Sequence, residues 1–263
     1  MPEVKEHAPG SFCWIELGTS DANGAKKFYK ELFGWSFVDS PMGPDEFYTI
    51  FKIRDLDVAA MYTLRSDQTS QGVPPHWMTY ISVASADEAA NKAASLGGKV
   101  VAAAFDVMEA GRMSVIQDPQ GSTFSVWQAK ASTGIGLAGE PGTLCWDELW
   151  TTDHKKAADF YTGLFGWVAK DSSANAPAGN YTEWVNDGKS IGGMLEITPE
   201  RPVPPNWLPY FLVEDCDASA EKAKTLGGKE QVSPMDIPNV GRFAAIQDPQ
   251  GATFAIFKPA PHA

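Results

Sequence analysis

Cys-Trp-x-Glu is written twice in this chain, as Cys13-Trp14-Ile15-Glu16 and as Cys145-Trp146-Asp147-Glu148. On an extended strand, alternation puts the tryptophan and the glutamate side by side on one face and turns the cysteine to the other. An indole beside a carboxylate can stack a flat ligand and accept its hydrogen bond, and the carboxylate can act as a general base. The competing expectation is structural. The tryptophan would then fill space and the glutamate would pair with an arginine, for which Arg112 and Arg242, in a shared Gly-Arg step, are candidates. Such a pair would lower the carboxyl pKa and weaken the base.

Other chemistry-bearing residues are few. The histidines are His7, His76, His154 and His262, of which His7 and His262 are expected in tails and His154 at a helix start. His76 stands four residues before Tyr80 in "HWMTYISV", and alternation puts both, with Met78, on one face; Asn206 and Tyr210 hold the matching places in the second half. His76 could supply acid–base chemistry with Tyr80, or it could be a loop-end residue after Pro74-Pro75. Trp77 and Trp207 face the other way, toward helices. Cys13 and Cys145 read as buried, inert thiols. "IQDPQG" also occurs twice, at 116–121 and 246–251. Asp at i, Pro at i+1 and Gly at i+3 suit a type I turn, so Asp118 is expected to shape a hairpin rather than to catalyse. No Ser-His-Asp arrangement, P-loop or dinucleotide-binding glycine pattern is present.

These residues must be positioned by elements that repeat. Residues 10–35 and 142–167 share 14 of 26 positions, and 111–124 and 241–254 share 10 of 14. Two colinear domains are expected, at 8–130 and 142–259, joined by a small-residue linker at 131–141. Within each, a strand ("FCWIEL") precedes a helix whose Ala25, Phe28, Tyr29 and Leu32 form one apolar stripe, with Asp21 to cap it and Gly34 to end it. "EFYTIFKI" and "LDVAAMYT" read as strands. The order then restarts at "WMTYISV", with a second helix carrying Ala90, Ala93 and Leu96. "NDGK" at 186–189 marks a hairpin in the second half. The fold class is α+β, built from four βαβββ modules.

The 263-residue chain is 43% hydrophobic and 21% charged, a globular balance, and its net charge of −12 argues against a nucleic-acid partner. No segment reads as a signal peptide or a membrane span, and three cysteines give no disulfide framework, so a cytoplasmic location is expected.

Four βαβββ units, the "FY…LFGW" helix and the "DPQG" hairpin resemble the vicinal oxygen chelate superfamily, the group of glyoxalase I, bleomycin-resistance proteins and extradiol dioxygenases. The resemblance runs from about Gly10 to Lys258 and is closest to tandem glyoxalase-like members. It implies two cup-shaped mixed sheets. It also implies that metal-dependent members carry His, Gln or Glu at positions that fall here on Trp14, Met78 and Ser125, and on Trp146, Leu208 and Ala255. A further position falls near Met61 and Met194. None of these suits a divalent ion, so no metal and no cofactor is expected. With the cup in place, the ligand-facing candidates are Trp14, Glu16, Tyr80, Arg112, Trp146, Glu148, Tyr210 and Arg242, with Phe12 and Leu144 on the same face. A chain already holding four modules is expected to be a monomer rather than a dimer.

Two functions follow from this. One is a metal-free protein of the glyoxalase/bleomycin-resistance kind that binds an aromatic or otherwise bulky small molecule. The other is an enzyme (lyase, isomerase, hydroxylase or dioxygenase) using Glu16 or Glu148 with His76 and Tyr80, or an atypical metal site.

Overall fold

The computed structural model describes residues 3–44, 46–172, 180–198 and 203–261. The first half runs β1 (Phe12–Thr19), α1 (Ala22–Phe33), β2 (Ser36–Gly43), β3 (Glu46–Ile53), β4 (Leu56–Thr63), a short α2 (Ser66–Ser70), β5 (His76–Ser82), α3 (Ala86–Ser95), β6 (Lys99–Val107), β7 (Gly111–Gln117) and β8 (Thr123–Ala129). The second half follows with β9 (Leu144–Thr151), α4 (His154–Phe165), β10 (Val168–Asp171), β11 (Tyr181–Asn186), β12 (Lys189–Glu196), β13 (Asn206–Leu212), α5 (Cys216–Thr225), β14 (Lys229–Ile237), β15 (Gly241–Gln247) and β16 (Thr253–Pro259).

Each half makes one eight-stranded mixed sheet, in the orders β2-β3-β4-β1-β5-β8-β7-β6 and β10-β11-β12-β9-β13-β16-β15-β14. This is the α+β arrangement of paired βαβββ modules. The first strand of each module lies at the centre, β1 against β5 and β9 against β13, both antiparallel. The residues that carry the Cys-Trp-x-Glu motifs therefore sit mid-sheet.

Local signals act where they were expected. Asp21 caps α1 by accepting from the Gly24 amide, and Gly34 ends it at φ 73°, a left-handed conformation that costs glycine little. Ala25, Phe28, Tyr29 and Leu32 are the buried stripe of α1. In α3 the buried residues are Ala86, Ala89, Ala90 and Ala93, whereas Leu96, expected on that face, is 37% exposed. Leu96 instead lies over the α4 glycine Gly163, so it covers a neighbouring helix rather than the sheet.

The helical faces are shared between halves. One core combines Ile15, Phe28, Tyr29 and Trp35 of the first module with Phe211, Cys216, Ile246 and Phe254 of the fourth. The other combines Ile81, Ala93, Ile116 and Phe124 of the second module with Phe160, Tyr161, Trp167 and Trp184 of the third. The repeated tryptophans fasten this arrangement. Trp35 Nε1 donates to the Gly142 carbonyl and Trp167 Nε1 to the Gly10 carbonyl, each at 2.9 Å. Gly10 and Gly142 have φ of 82° and 85°, and a Cβ on either would press on that indole nitrogen.

The segment between the halves is built into the first sheet. Ile135 and Leu137 are buried, the Ile135 amide donates to the Cys13 carbonyl, and the Gly136 amide donates to Asp57. His7, expected in a tail, is held by a bond between its Nε2 and the Ile135 carbonyl. His262, also expected in a tail, lies outside the described residues.

Candidate functional site

The face of each sheet turned away from the shared cores forms a cup. In the first, β1 presents Trp14 and Glu16, β3 presents Tyr48, β4 presents Tyr62, and β5 presents His76, Met78 and Tyr80. Glu16 lies opposite Met78 on one side and Ala60 on the other, and Tyr48 lies opposite Tyr62. Cross-strand neighbours on one face come within side-chain reach, which gathers these aromatic groups about one carboxyl.

The carboxyl is the hub of a hydrogen-bond network. Tyr80 Oη donates to Glu16 Oε1 at 3.0 Å, Tyr48 also donates to Glu16, and Trp14 Nε1 donates to Tyr48 Oη at 3.1 Å. Burial in this aromatic box raises the Glu16 pKa above the ordinary carboxyl value, and the two tyrosine donors only partly offset that. Burial also pushes the Tyr80 and Tyr48 hydroxyls well up, with the Glu16 charge adding to the effect, so both stay protonated donors.

The second cup repeats the network. Tyr210 Oη donates to Glu148 Oε1 at 2.9 Å, Tyr181 also donates to Glu148, and Trp146 Nε1 donates to Tyr181 Oη at 3.1 Å. Two differences set it apart. Trp150 occupies the position of Gly18 and gives Glu148 a third donor, its Nε1 at 2.8 Å. In the first cup that corner is taken by Leu64, His76 and Tyr62, which would all meet a Cβ on Gly18. As whole residues Glu148 is only 7% exposed and Glu16 is half-buried, while the carboxyl group is buried in both.

Several expectations need correction. Arg112 and Arg242 do not pair with Glu16 and Glu148 and do not face the cups. They stand on the helix side of β7 and β15, where Arg112 forms a two-point ion pair with Asp87 (2.7 and 2.9 Å) and Arg242 the same with Asp217 (2.7 and 2.8 Å). Alternation along β7 explains it: Met113 packs with the cup residues, so its neighbour Arg112 must turn outward. The paired-arginine account of Glu16, with its lowered pKa, fails with that geometry.

Phe12 and Cys13 are also exchanged. The register shifts between Phe12 and Trp14, a bulge that turns Cys13 to the same side as Trp14. Cys13 packs with Tyr80, Met113 and Trp127, while Phe12 lies against Trp167 and Trp207 in the shared core. A matching shift at Tyr210/Phe211 puts Cys145 with the cup residues and Leu144 with the core. Burial raises both thiols, Cys145 to about 12, as expected of inert cysteines.

His76 lies on the cup face, with Nδ1 bonded at 2.8 Å to the Pro74 carbonyl, and burial lowers its pKa. Trp77 and Trp207 point away from the cups, each donating to a helix tyrosine, Tyr29 (3.1 Å) and Tyr161 (3.0 Å). Asp118 makes the expected turn, accepting from the Gln120, Gly121 and Ser122 amides at 2.8–2.9 Å. Tyr48 and Tyr181 were missed. Their signal was the repeated Tyr-Thr of "FYTIF" and "NYTEW", which the alignment of the halves brings into register.

Fold and cups together define a tandem protein of paired βαβββ modules, with one cup per half. The Glyoxalase/Bleomycin resistance protein/Dioxygenase superfamily profile matches residues 11–126 and 143–256, and the chain belongs to that superfamily. It is similar to the glyoxylase candidate CFP32 of Mycobacterium tuberculosis, 41% identical over 262 residues and 99% of both chains. It is also similar to the anthracycline biosynthesis protein DnrV of Streptomyces peucetius, 33% identical, covering 95% of this chain and 93% of that one. Among solved structures, the fold resembles the 2,3-dioxygenase LapB of Pseudomonas sp. KL28 (TM-score 0.66, 13% identity, 97% and 95% coverage). It likewise resembles an Mn(II)-bound glyoxalase of Novosphingobium aromaticivorans (TM-score 0.66, 16% identity, 98% and 83% coverage).

The divalent metal that the superfamily implies does not fit the residues present. Tyr80 pairs with Ser125 and Tyr210 with Ala255, so the final-strand positions carry a hydroxyl and a methyl where a carboxylate is needed. Glu16 and Glu148 each stand alone as carboxylates, and among the described residues no three His, Cys, Asp or Glu side chains come together as a ligand set. Among the described residues no helix is long and apolar enough to cross a membrane.

Proposed function

We propose that the protein binds a small molecule in the first cup without a metal ion, using Trp14, Tyr48, Tyr62 and Tyr80 as walls and Glu16 as the polar anchor. The observation that carries this reading is the contrast in donors at the carboxyl: Glu16 accepts from two tyrosine hydroxyls, whereas Glu148 accepts from two tyrosine hydroxyls and the Trp150 indole. A ligand donor needs a free lone pair to meet, and Glu16 keeps one more than Glu148. The names of the relatives, a glyoxylase candidate and an anthracycline biosynthesis protein, are compatible with a carbonyl-bearing or polycyclic ligand.

An acid–base role is the second reading, favoured by the raised Glu16 pKa, since a carboxyl moved toward neutrality is a better proton acceptor. His76 is not bonded to Glu16, so Tyr80 and Tyr48 would be its working neighbours. A monomer acting without nucleic acid in the cytoplasm completes the proposal, and three free cysteines suit a reducing compartment.

Metal analysis of the purified protein, beside a thermal-shift screen of small aromatics run with and without a chelator, tests the reading. Ligand-dependent shifts that survive chelation and vanish in Trp14→Ala are expected. Stoichiometric metal whose removal abolishes binding would overturn it.

A further inference from the structure

Glu16 lacks a counter-charge. Among the described residues its polar partners are two neutral hydroxyls, and no lysine, arginine or histidine pairs with it. The arginines that could have neutralised it are committed to aspartates on the opposite face of the sheet. A buried carboxylate in this position is undercompensated and can be completed in three ways: a proton, a metal ion or a cationic ligand. The donor set does not suit the metal. The proton is what burial alone produces, and it leaves the cup in its ligand-free state.

The walls favour the third. Trp14, Tyr48, Tyr62 and Tyr80 surround the carboxyl, and Met78 and Met113 lie against Trp14 and Tyr80. Aromatic faces attract a desolvated cation, and methionine sulfur is polarizable. An aromatic box with a carboxylate at its base is the chemistry that takes an organic ammonium or iminium group. The second cup keeps Trp146, Tyr181 and Tyr210 but puts Leu195 and Leu208 in the places of Tyr62 and Met78, and its Trp150 indole satisfies Glu148 where Gly18 leaves Glu16 without a third donor.

Resting on the reading of the first cup as a ligand site, we propose that its ligand is an organic cation with an aromatic ring, the charge held against Glu16 and the ring against the aromatic walls. The second cup does not bind it.

The probes are N-methylquinolinium, which is permanently charged, and quinoline at pH 8, which is nearly the same shape and uncharged. Binding is read by tryptophan fluorescence and calorimetry. The cation is expected to bind at least about tenfold more tightly. That advantage should vanish in Glu16→Gln and persist in Glu148→Gln. Equal binding of both probes, lost in Trp14→Ala, would overturn the cation proposal and leave the ligand site standing. Failure of both probes to bind, or binding indifferent to Trp14→Ala, would overturn the proposal together with the site. Loss of the advantage in Glu148→Gln alone would move the site to the other cup and overturn it too.

Should Glu16→Gln fail to fold, methyl-labelled methionine in the wild-type protein decides. Titration with N-methylquinolinium should shift the Met78 and Met113 methyl signals and leave Met194, buried in a shared core, unmoved. Shifts confined elsewhere, or no preference over quinoline at those methyls, would refute the proposal.

Discussion

Tyr29 in the first half donates its hydroxyl to Asp248 in the second at 2.8 Å, and Tyr161 in the second donates to Asp118 in the first at 3.1 Å. The tyrosine of each "FY…LFGW" helix thus closes on the turn aspartate of the other half's "DPQG". Each aspartate spends one oxygen on three backbone amides of its own turn and the other on the tyrosine. Burial raises both carboxyls above their ordinary range even so.

Tyr29→Phe and Tyr161→Phe should each destabilise the protein by about 1–2 kcal/mol, because each leaves a buried carboxyl oxygen and a tryptophan N–H (Trp77 or Trp207) without a partner. Urea denaturation followed by tryptophan fluorescence measures this. A change near zero in both variants would remove these bonds from the account of how the halves are held together.

Asp147 makes stability depend on pH. It is fully buried between the halves, accepts at Oδ1 from Thr79 at 2.8 Å, and has no partner at Oδ2. Burial lifts its pKa from 3.8 to about 8. The unfolded chain releases this proton near pH 4 and the folded chain keeps it to about pH 8. In that window the unfolded state binds fewer protons, so stability falls as pH rises, by at most about 1.4 kcal/mol per pH unit from this group. Asp147→Asn should therefore gain melting temperature relative to wild type as pH goes from 5 to 8. A gap that stays constant or narrows over that range would show that Asp147 ionises normally.

Gly193 is tied to the second cup's network. A Cβ there would fall 2.0 Å from Tyr181 Oη and 3.0 Å from Trp146 Nε1. Gly193→Ala should displace Tyr181 from Glu148 and cost about 1–3 kcal/mol. The first cup holds Ala60 at the matching place. Thermal melts of Gly193→Ala beside Ala60→Gly check the contrast, and a silent Gly193→Ala would mean that Tyr181 readjusts freely.

Trp150→Phe removes one of the three donors to Glu148 while keeping most of the ring. The Glu148 pKa should rise further, which carboxyl-resolved NMR titration would show, with about 1 kcal/mol of stability lost. An unchanged titration would assign Trp150 to packing alone.

Much of the fold was legible because its signals are local or repeated. The α1 stripe and its Asp21 and Gly34 caps follow from helix geometry, and β3 and β4 match "EFYTIFKI" and "LDVAAMYT" residue for residue. β2 was not visible because every residue in it is exposed, so no alternation marks it. At the cups, the Trp14–Glu16 and Trp146–Glu148 pairings were legible from strand periodicity. The bulge at Cys13 was not, since a single inserted residue leaves no compositional mark. Nor was the choice of partner for Glu16: Tyr48 reaches it from β3, two strands away in the sheet, whereas Arg112 is held off by its own strand's alternation and by Asp87. The most conspicuous repeats turned out to serve contact between halves, which is why duplication of "IQDPQG" said so little about reaction chemistry.

The exchange of helical faces between halves also divides the chain's freedom to vary. Trp35, Tyr29 and Asp248 answer to residues in the opposite copy, so a change in one copy must be accommodated by the other. The cup carboxyls take their side-chain donors from their own sheet. Trp150 stands where the first copy has Gly18, and Asn206 where it has His76, each difference lying within one sheet. A duplicated scaffold wired in this way can keep one receptacle in service while the other drifts shut.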